Sequence, residues 1–454
     1  MQNSDIGWTK DGIFDSGHPQ TPSNVTRFCR AVNVEDKSCH PQIVFYQNGL
    51  GSQGSLSDHL LGGGLAIGLS ENIRAAYGFL ANNYLEGDSP ETHDKIFLLG
   101  YSRGAFTARS IAGLIGGFGL LKKKSMCFFY QIFEDWEGAG SKTYRPAISK
   151  LLPDFKIDVP AVNAKDYVAA YRAELRRLGL TREVDITAVG VWDTVGSLGL
   201  PVQPWLQKIG FPTTVHSYRF FDTGIDDHIL NAFQALALDE HRAAFSPTIW
   251  ERKNQRTNLK QVWFPGVHSN IGGGADDTGV SDITLAWMMS QMSAFIDFNA
   301  DYLKEQILEN KKSFESQKQK WTWGLGTLRN SLTFPTSLGG SLVRTPHLYH
   351  VTDYASGRPD PALLQNTNEH IHASVRARAI LGGKTHDGKP YSSDALADWK
   401  LVDKDGPGGS PARWVYKGKD QAGKGKVMVE DELGVFERIG LEEDHEAVAK
   451  LFGT

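Results

Sequence analysis

Gly100-Tyr101-Ser102-Arg103-Gly104 holds a serine between two glycines, where an apolar run from Ile96 to Leu99 gives way to small residues with helical spacing. A serine hydroxyl is a poor nucleophile until a base takes its proton, and that base needs a carboxylate to fix its tautomer. A reactive serine therefore suits a sharp strand-to-helix turn. Flanking glycines let the backbone fold tightly there, and the helix N-terminus faces the oxyanion formed on attack at a carbonyl. In a chain with 48 glycines the bare Gly-x-Ser-x-Gly pattern is weak evidence, and an incidental serine in a glycine-rich turn is the bland alternative. The weight lies in the context, because Lys95 to Gly116 reads as strand, turn and helix in that order.

A base and an acid are then required. Among 14 histidines, His268 in "WFPGVHSNIGGG" directly follows a short apolar run and precedes Gly272 to Gly274, which would let the chain turn sharply beside a substrate. Its rival is His372 in "NEHIHASVR", whose strand context is less clear. For the acid, "AVGVWDTVGSLG" puts Asp193 just past an apolar strand and before a Gly/Ser turn. An Asx-turn or a helix cap would use the same residue. Ser102, Asp193, His268 nevertheless follow the chain order of the α/β-hydrolases, which favours the acid role. An oxyanion hole would take one backbone N–H from Arg103, after the serine, and a second from the loop "NGLGS", with Leu50 and Gly51 as candidates. In "LALDEHR", Asp239, Glu240 and Arg242 could support the triad from behind or form a buried ion-pair network.

These residues need strands whose ends converge. "PQIVFYQNGLGSQG" predicts a strand over Ile43–Tyr46 entering a glycine-rich loop, and "LSENIRAAYGFLANNYL" a helix with Ile73, Ala76, Tyr77 and Leu80 on one face and Ser70 as N-cap. "KIFLLG", "VDITAVGVWD" and "LKQVWFPGVH" are short apolar runs of the kind that form strands buried on both faces. Strands alternating with helices predict an α/β fold with a mostly parallel central sheet, helices on both faces and cap-like insertions. Ligands of such sheets sit beyond the carboxyl ends of the strands, where Ser102, Asp193 and His268 fall. Residues 1–300 read as the catalytic core, with a cap insertion at 122–183, and residues 301–454 as an extension packed on that core. The insertion carries Phe129, Phe133 and Trp136 on one helical face, which suits either an apolar groove for substrate or plain core packing. The extension holds the strand-like "RWVYKG" and "KVMVEDELGVFERI".

Composition limits the partners. Lys+Arg 48 against Asp+Glu 52 leaves a net charge of -4, which gives no electrostatic case for nucleic acid. The 3 cysteines, Cys29, Cys39 and Cys127, lack metal-ligand spacing and read as buried small side chains in a reducing compartment. The start "MQNSDIGWTKDGIFDSG" lacks the charged-then-apolar order of a signal peptide, and "SIAGLIGGFGLL" is too short to span a bilayer, so the expectation is a soluble cytoplasmic protein with peripheral membrane contact as an option. Asp276, Asp277 and Asp282, with Asp226 and Asp227, lack EF-hand spacing, so neither a metal nor a cofactor is expected.

The blocks "GYSRGAFTARSIAGLIG", "GVWDTVGS", "NAFQALALDEHR" and "VWFPGVHSNIGGG" resemble the signature blocks of the α/β-hydrolase family typified by the catalytic domain of type VI secretion phospholipase effectors, over roughly residues 20 to 300. The resemblance implies ester hydrolysis of lipids by a Ser-Asp-His triad mapping onto Ser102, Asp193 and His268, with phospholipase A activity in bacterial effectors. The chain departs from the family pattern in opening at "MQNSD", where members carry a strand leading into Asp-Gly-Thr-Trp. The expectation is a serine hydrolase that cleaves esters of lipid-like substrates through an acyl-enzyme. The alternatives are a small-ester or thioester hydrolase, with the aromatic residues as core, and a non-catalytic interaction protein that keeps the fold. Oligomeric state is not readable from the sequence.

Overall fold

The computed structural model describes residues 2–3, 21–48, 64–89, 92–195, 224–332, 340–353, 358–402 and 411–452. Short runs rich in apolar residues form the middle strands of its central sheet. In chain order its strands are β1 (Gln2–Asn3), β2 (Gln47–Asn48), β3 (Ile96–Tyr101), β4 (Ile186–Trp192), β5 (Asn231–Ala237), β6 (Asn258–Phe264) and β7 (Glu369–Ile371). They lie in the order β7-β6-β5-β4-β3-β1-β2, and neighbouring strands pair in parallel. Successive side chains of a strand point to opposite faces, so a strand covered on both sides must be apolar at consecutive positions. On β3, Ile96 and Leu98 enter one apolar cluster, and Phe97, Leu99 and Tyr101 the other.

Helices cover both faces. The helices used below are α1 (Asn24–Ala31), α2 (Gly64–Asn83), α3 (Arg103–Phe118), α4 (Phe129–Glu137), α5 (Ala164–Arg177), α6 (His268–Gly272), α7 (Gly279–Met292), α8 (Ala300–Ser316), α9 (Ala373–Ile380) and α10 (Val435–Glu442). Helices α2 to α5 build the first cluster, and α1, α7, α8, α9 and α10 the second. The buried pair Arg27–Asp282 ties α1 to α7. Beside it, Asn24 Nδ2 donates to the carbonyls of Ile271 (3.0 Å) and Ser281 (2.9 Å), so α1 braces the short helix that carries His268. Removing one partner of such a buried pair costs about 3–5 kcal/mol.

The chain beyond residue 300 is built into the same sheet. Its strand β7 pairs with β6 from Gln261↔Glu369 to Trp263↔Ile371. Arg376 and Glu430 form a buried ion pair at 2.8 Å, and a third apolar cluster joins Trp263 of β6 to Trp399, Trp414 and Met428.

Several local expectations are corrected. The strand expected at Ile43–Tyr46 is assigned only at Gln47–Asn48, and Ile43 is 73% exposed. Ser70 is not an N-cap: α2 starts at Gly64, and the Ser70 hydroxyl donates to Glu137 Oε1 at 3.0 Å from inside the helix. The end of "KVMVEDELGVFERI" is helix α10, not strand; Glu437 Oε2 accepts from the Gly434 amide at 2.8 Å and fixes the helix start. Cys39 and Cys127 are exposed and Cys29 is half-buried, so the reading of all three as core residues fails.

Candidate active site

Ser102 sits between β3 and α3 with φ 58° and ψ -122°. Its amide donates to the Trp192 carbonyl at 3.1 Å, extending the β3–β4 pairing by a step, while its carbonyl accepts from Ala105 (3.1 Å) and Phe106 (3.3 Å) in the first turn of α3. A left-handed φ at a non-glycine residue stores about 1–3 kcal/mol, which the surrounding packing must sustain. A Cβ on Gly100 would lie 2.1 Å from the Gly104 carbonyl oxygen, so the turn closes only with glycine at position 100. Arg103 opens α3 and places its amide at the positive end of the helix, next to Ser102. Leu50 and Gly51, the other oxyanion candidates, lie outside the described residues.

Asp193 follows β4 directly, with φ 44°. Its amide donates to the Ala235 carbonyl at 2.7 Å, and its Oδ1 accepts from the Ala237 amide at 3.0 Å. Its Oδ2 lies 2.6 Å from His268 Nδ1. An ionised carboxylate only accepts, so Nδ1 carries the hydrogen and Nε2 keeps its lone pair. Nε2 is buried and makes no hydrogen bond among the described residues. The imidazole is held by Tyr101 (centroids 4.7 Å apart) and by the edge-on Phe245 ring (4.9 Å), and the Tyr101 hydroxyl donates to the His268 carbonyl at 3.2 Å. A Cβ on Gly272 would fall 2.1 Å from the Tyr101 ring, so this glycine makes room for the ring that supports the histidine.

The rival histidine is engaged elsewhere. His372 is buried, its Nε2 is 2.8 Å from Glu437 Oε1, its Nδ1 accepts from the Ser374 amide at 3.1 Å as the N-cap of α9, and its ring stacks on Phe264.

A group that the sequence reading did not single out completes the surroundings of Asp193. Arg344, 3% exposed, sends both Nη atoms to the Asp193 carboxylate, with Nη2 to Oδ2 at 3.0 Å, and also donates to the carbonyls of Ala237 (2.7 Å) and Phe245 (2.8 Å). Burial pushes the Asp193 carboxyl up, but the Arg344 guanidinium and the His268 hydrogen bond outweigh it and hold the group well below the usual carboxylate range. The "LALDEHR" residues lie behind His268. Glu240 Oε2 accepts from the His268 amide at 3.2 Å, and Arg242 binds Glu240 at 2.9 and 2.8 Å while covering the Phe245 ring. Burial also pushes the Glu240 carboxyl up, and its bonds to Arg242 bring it below the ordinary range. Asp239 accepts from the Gly266 amide at 2.6 Å, and its burial raises its carboxyl. Glu240 thus belongs both to an ion-pair network and to the support of the histidine.

Phe129, Phe133 and Trp136 are buried in the first apolar cluster. Phe129 stacks on Tyr77 at 4.8 Å, and Phe133 meets Trp136 at 5.5 Å. Asp276, Asp277 and Asp282 also have structural partners: in the loop before α7, Asp276 accepts from Thr21 and Asp277 from the amides of Gly279 and Thr327, and in the first turn of α7 Asp282 pairs with Arg27. Among the described residues no helix is long and apolar enough to cross a membrane.

The family described as T6SS, phospholipase effector Tle1-like, catalytic domain matches residues 9–291. The uncharacterized protein YEL023C of Saccharomyces cerevisiae is 30% identical over 251 residues, 52% of this chain and 31% of that protein. Two solved structures are similar to parts of the chain. An uncharacterized protein from Pseudomonas aeruginosa shares 16% identity over 66% of this chain and 46% of its own, with a TM-score of 0.35. The Tle1 effector bound to the VgrG spike from the type 6 secretion system shares 21% identity over 58% and 42%, with a TM-score of 0.25. The chain spans less than half the length of each of these proteins. With the family matched across more than half of its residues, the chain belongs to the T6SS phospholipase effector Tle1-like catalytic-domain family.

Proposed function

We propose that the protein is a serine hydrolase cleaving carboxylic esters of lipid-like substrates, with Ser102 as nucleophile, His268 as base and Asp193 as the acid that orients it. Membership of a phospholipase-effector family supports a lipid hydrolase. The single observation that carries the finer reading is the 2.6 Å bond between Asp193 Oδ2 and His268 Nδ1, which leaves a buried Nε2 lone pair at the strand ends from which Ser102 also emerges.

In this reading Ser102 Oγ attacks the ester carbonyl carbon and its proton passes to His268 Nε2. The tetrahedral oxyanion forms at the N-terminus of α3, where the Arg103 amide and the helix dipole stabilise it. His268 then gives the proton to the leaving alcohol, and the C–O bond breaks to leave an acyl-Ser102. A water molecule, deprotonated by the same Nε2, attacks the acyl carbon, and the acid is released as Ser102 takes its proton back. Asp193 stays anionic throughout and stabilises the imidazolium.

A second reading, a small-ester or thioester hydrolase, draws on the packing of Phe129, Phe133 and Trp136 as core residues. Labelling with an active-site fluorophosphonate, followed by hydrolysis of an ester panel of increasing chain length, separates the two. Labelling at Ser102 with activity rising with chain length supports the lipid reading. A preference for acetate esters moves the small-ester reading ahead, and absence of labelling removes both.

A further inference from the structure

Between residues 340 and 344 the chain lies along the segment after β5. Leu342 N donates to the His241 carbonyl at 2.8 Å, Ala243 N to the Gly340 carbonyl at 3.1 Å, and Arg242 and Ser341 form an antiparallel bridge. Leu342 and Val343 are exposed on this strap, and the next residue, Arg344, turns inward and is buried. We infer that Arg344 is a positioning residue for the Ser102–His268–Asp193 centre, holding the Asp193 carboxylate in the plane that aims Oδ2 at His268, and that the chain beyond residue 340 is thereby part of the active site. The inference rests on the serine-hydrolase reading.

A simple staple between loops would need only the carbonyls of Ala237 and Phe245, which Arg344 also binds. The guanidinium instead presents its flat fork to both oxygens of Asp193, a contact that fixes orientation as well as charge. Without it, Oδ1 would keep the Ala237 amide and the buried anion would lose its counter-ion. A carboxyl that then takes up a proton would no longer orient the Nδ1–H of His268 as an anion does.

The charged and titratable groups around the pair come from each neighbouring element. Tyr101 ends β3, Glu240 and Arg242 follow β5, and Tyr349 lies beyond Arg344, its hydroxyl accepting from the Thr345 amide at 3.3 Å. Arg344 is the cation in direct contact with Asp193, so its removal raises the proton affinity of the Asp193–His268 pair taken as a unit. The acid limb of kcat/KM would then move to higher pH.

The test compares the wild type, Arg344→Gln and Arg344→Lys in kcat, KM, the pH profile, thermal melting and the far-downfield proton NMR signal of the hydrogen on His268 Nδ1. The expected result for Arg344→Gln is a kcat lower by about 10- to 100-fold with KM within about twofold, the acid limb displaced upward and the downfield signal lost. Arg344→Lys, which keeps the charge without the fork, should recover part of the rate. A folded Arg344→Gln variant with kcat within about threefold of wild type and an unchanged downfield signal overturns the inference, even if its melting temperature drops. Should Arg344→Gln fail to fold, Arg344→Lys decides: a reduced kcat at unchanged KM supports the inference, and a wild-type rate overturns it. If the wild type itself neither labels nor hydrolyses esters, the hydrolase reading falls, while the downfield signal and its response to Arg344→Lys still decide whether Arg344 positions Asp193.

Discussion

Asp193 and His268 meet at 2.6 Å across 75 residues of sequence, Asp193 directly after β4 and His268 at the start of α6, past the short turn that follows β6. The contact fixes which imidazole nitrogen holds the hydrogen. Asp193→Asn would offer an amide N–H to Nδ1 and favour the tautomer with hydrogen on Nε2, which cannot accept the serine proton. Turnover should fall by roughly 10⁴-fold. Retention of more than a tenth of the wild-type rate would show that Asp193 does not act through the histidine.

The same residue predicts a pH dependence of stability. Its carboxyl is held below the usual carboxylate range in the folded protein, so the unfolded chain binds the proton more readily. Its contribution is therefore fully present above the unfolded value of about 4, and is lost as pH falls through the depressed folded value. Melting temperatures measured between neutral pH and strong acid should fall for the wild type, and less steeply for Asp193→Asn. Parallel slopes for the two proteins would contradict the prediction. The variant should also be less stable at neutral pH, because Arg344 is left buried beside a neutral group.

The two candidate histidines should separate by readout. His268→Ala should remain folded and lose nearly all turnover, since Nδ1 and Nε2 vanish together. His372→Ala removes a bond to the buried Glu437 and the N-cap of α9, a loss of about 2–4 kcal/mol, but should leave most of kcat at temperatures where the variant is folded. Thermal melts alongside initial rates check both halves, and the reverse pattern would transfer the base role to His372.

Ser102 sits in a strained backbone conformation, with φ 58°. Ser102→Ala should abolish fluorophosphonate labelling and leave the protein folded. Ser102→Gly should do the same and be more stable than Ser102→Ala by about 1 kcal/mol, because glycine adopts φ 58° without a Cβ clash. Equal melting temperatures for the two variants would mean that the elbow is not strained at this residue.

What could be read from the sequence follows the range of the interactions involved. The elbow was legible because strand, turn and helix are contiguous, and the tight approach of Gly100 to Gly104 is built by neighbours in the chain. Asp193 and His268 were legible because each follows the carboxyl end of an apolar strand within a few residues, and strand ends of a parallel sheet converge. Arg344 was not, because a lone arginine 151 residues after its partner carries no periodic or motif signal. The start of α2 was hidden by its glycines: Gly64 and Gly68 are poor helix formers, and tertiary packing overrides that propensity. Ile43 to Tyr46 look like a buried strand by composition, yet Ile43 and Val44 are left exposed, and composition does not specify a pairing partner.

Phe129 decides between the two substrate readings. Its ring stacks on Tyr77 of α2 and stands edge-on to Phe133, within the first apolar cluster. If this face is core, Phe129→Ser opens a cavity and buries a hydroxyl, so stability should drop by about 3 kcal/mol or more while long-chain and acetate esters lose activity together. If the face accepts an acyl chain, the loss should instead grow with chain length, because each buried methylene contributes about 0.8 kcal/mol. The stacking on Tyr77 makes the first pattern the expected one. A steep chain-length dependence at unchanged melting temperature would restore the groove and place α4 in the substrate site; equal losses with a lowered melting temperature would leave the acyl chain to be held elsewhere, or favour a small ester.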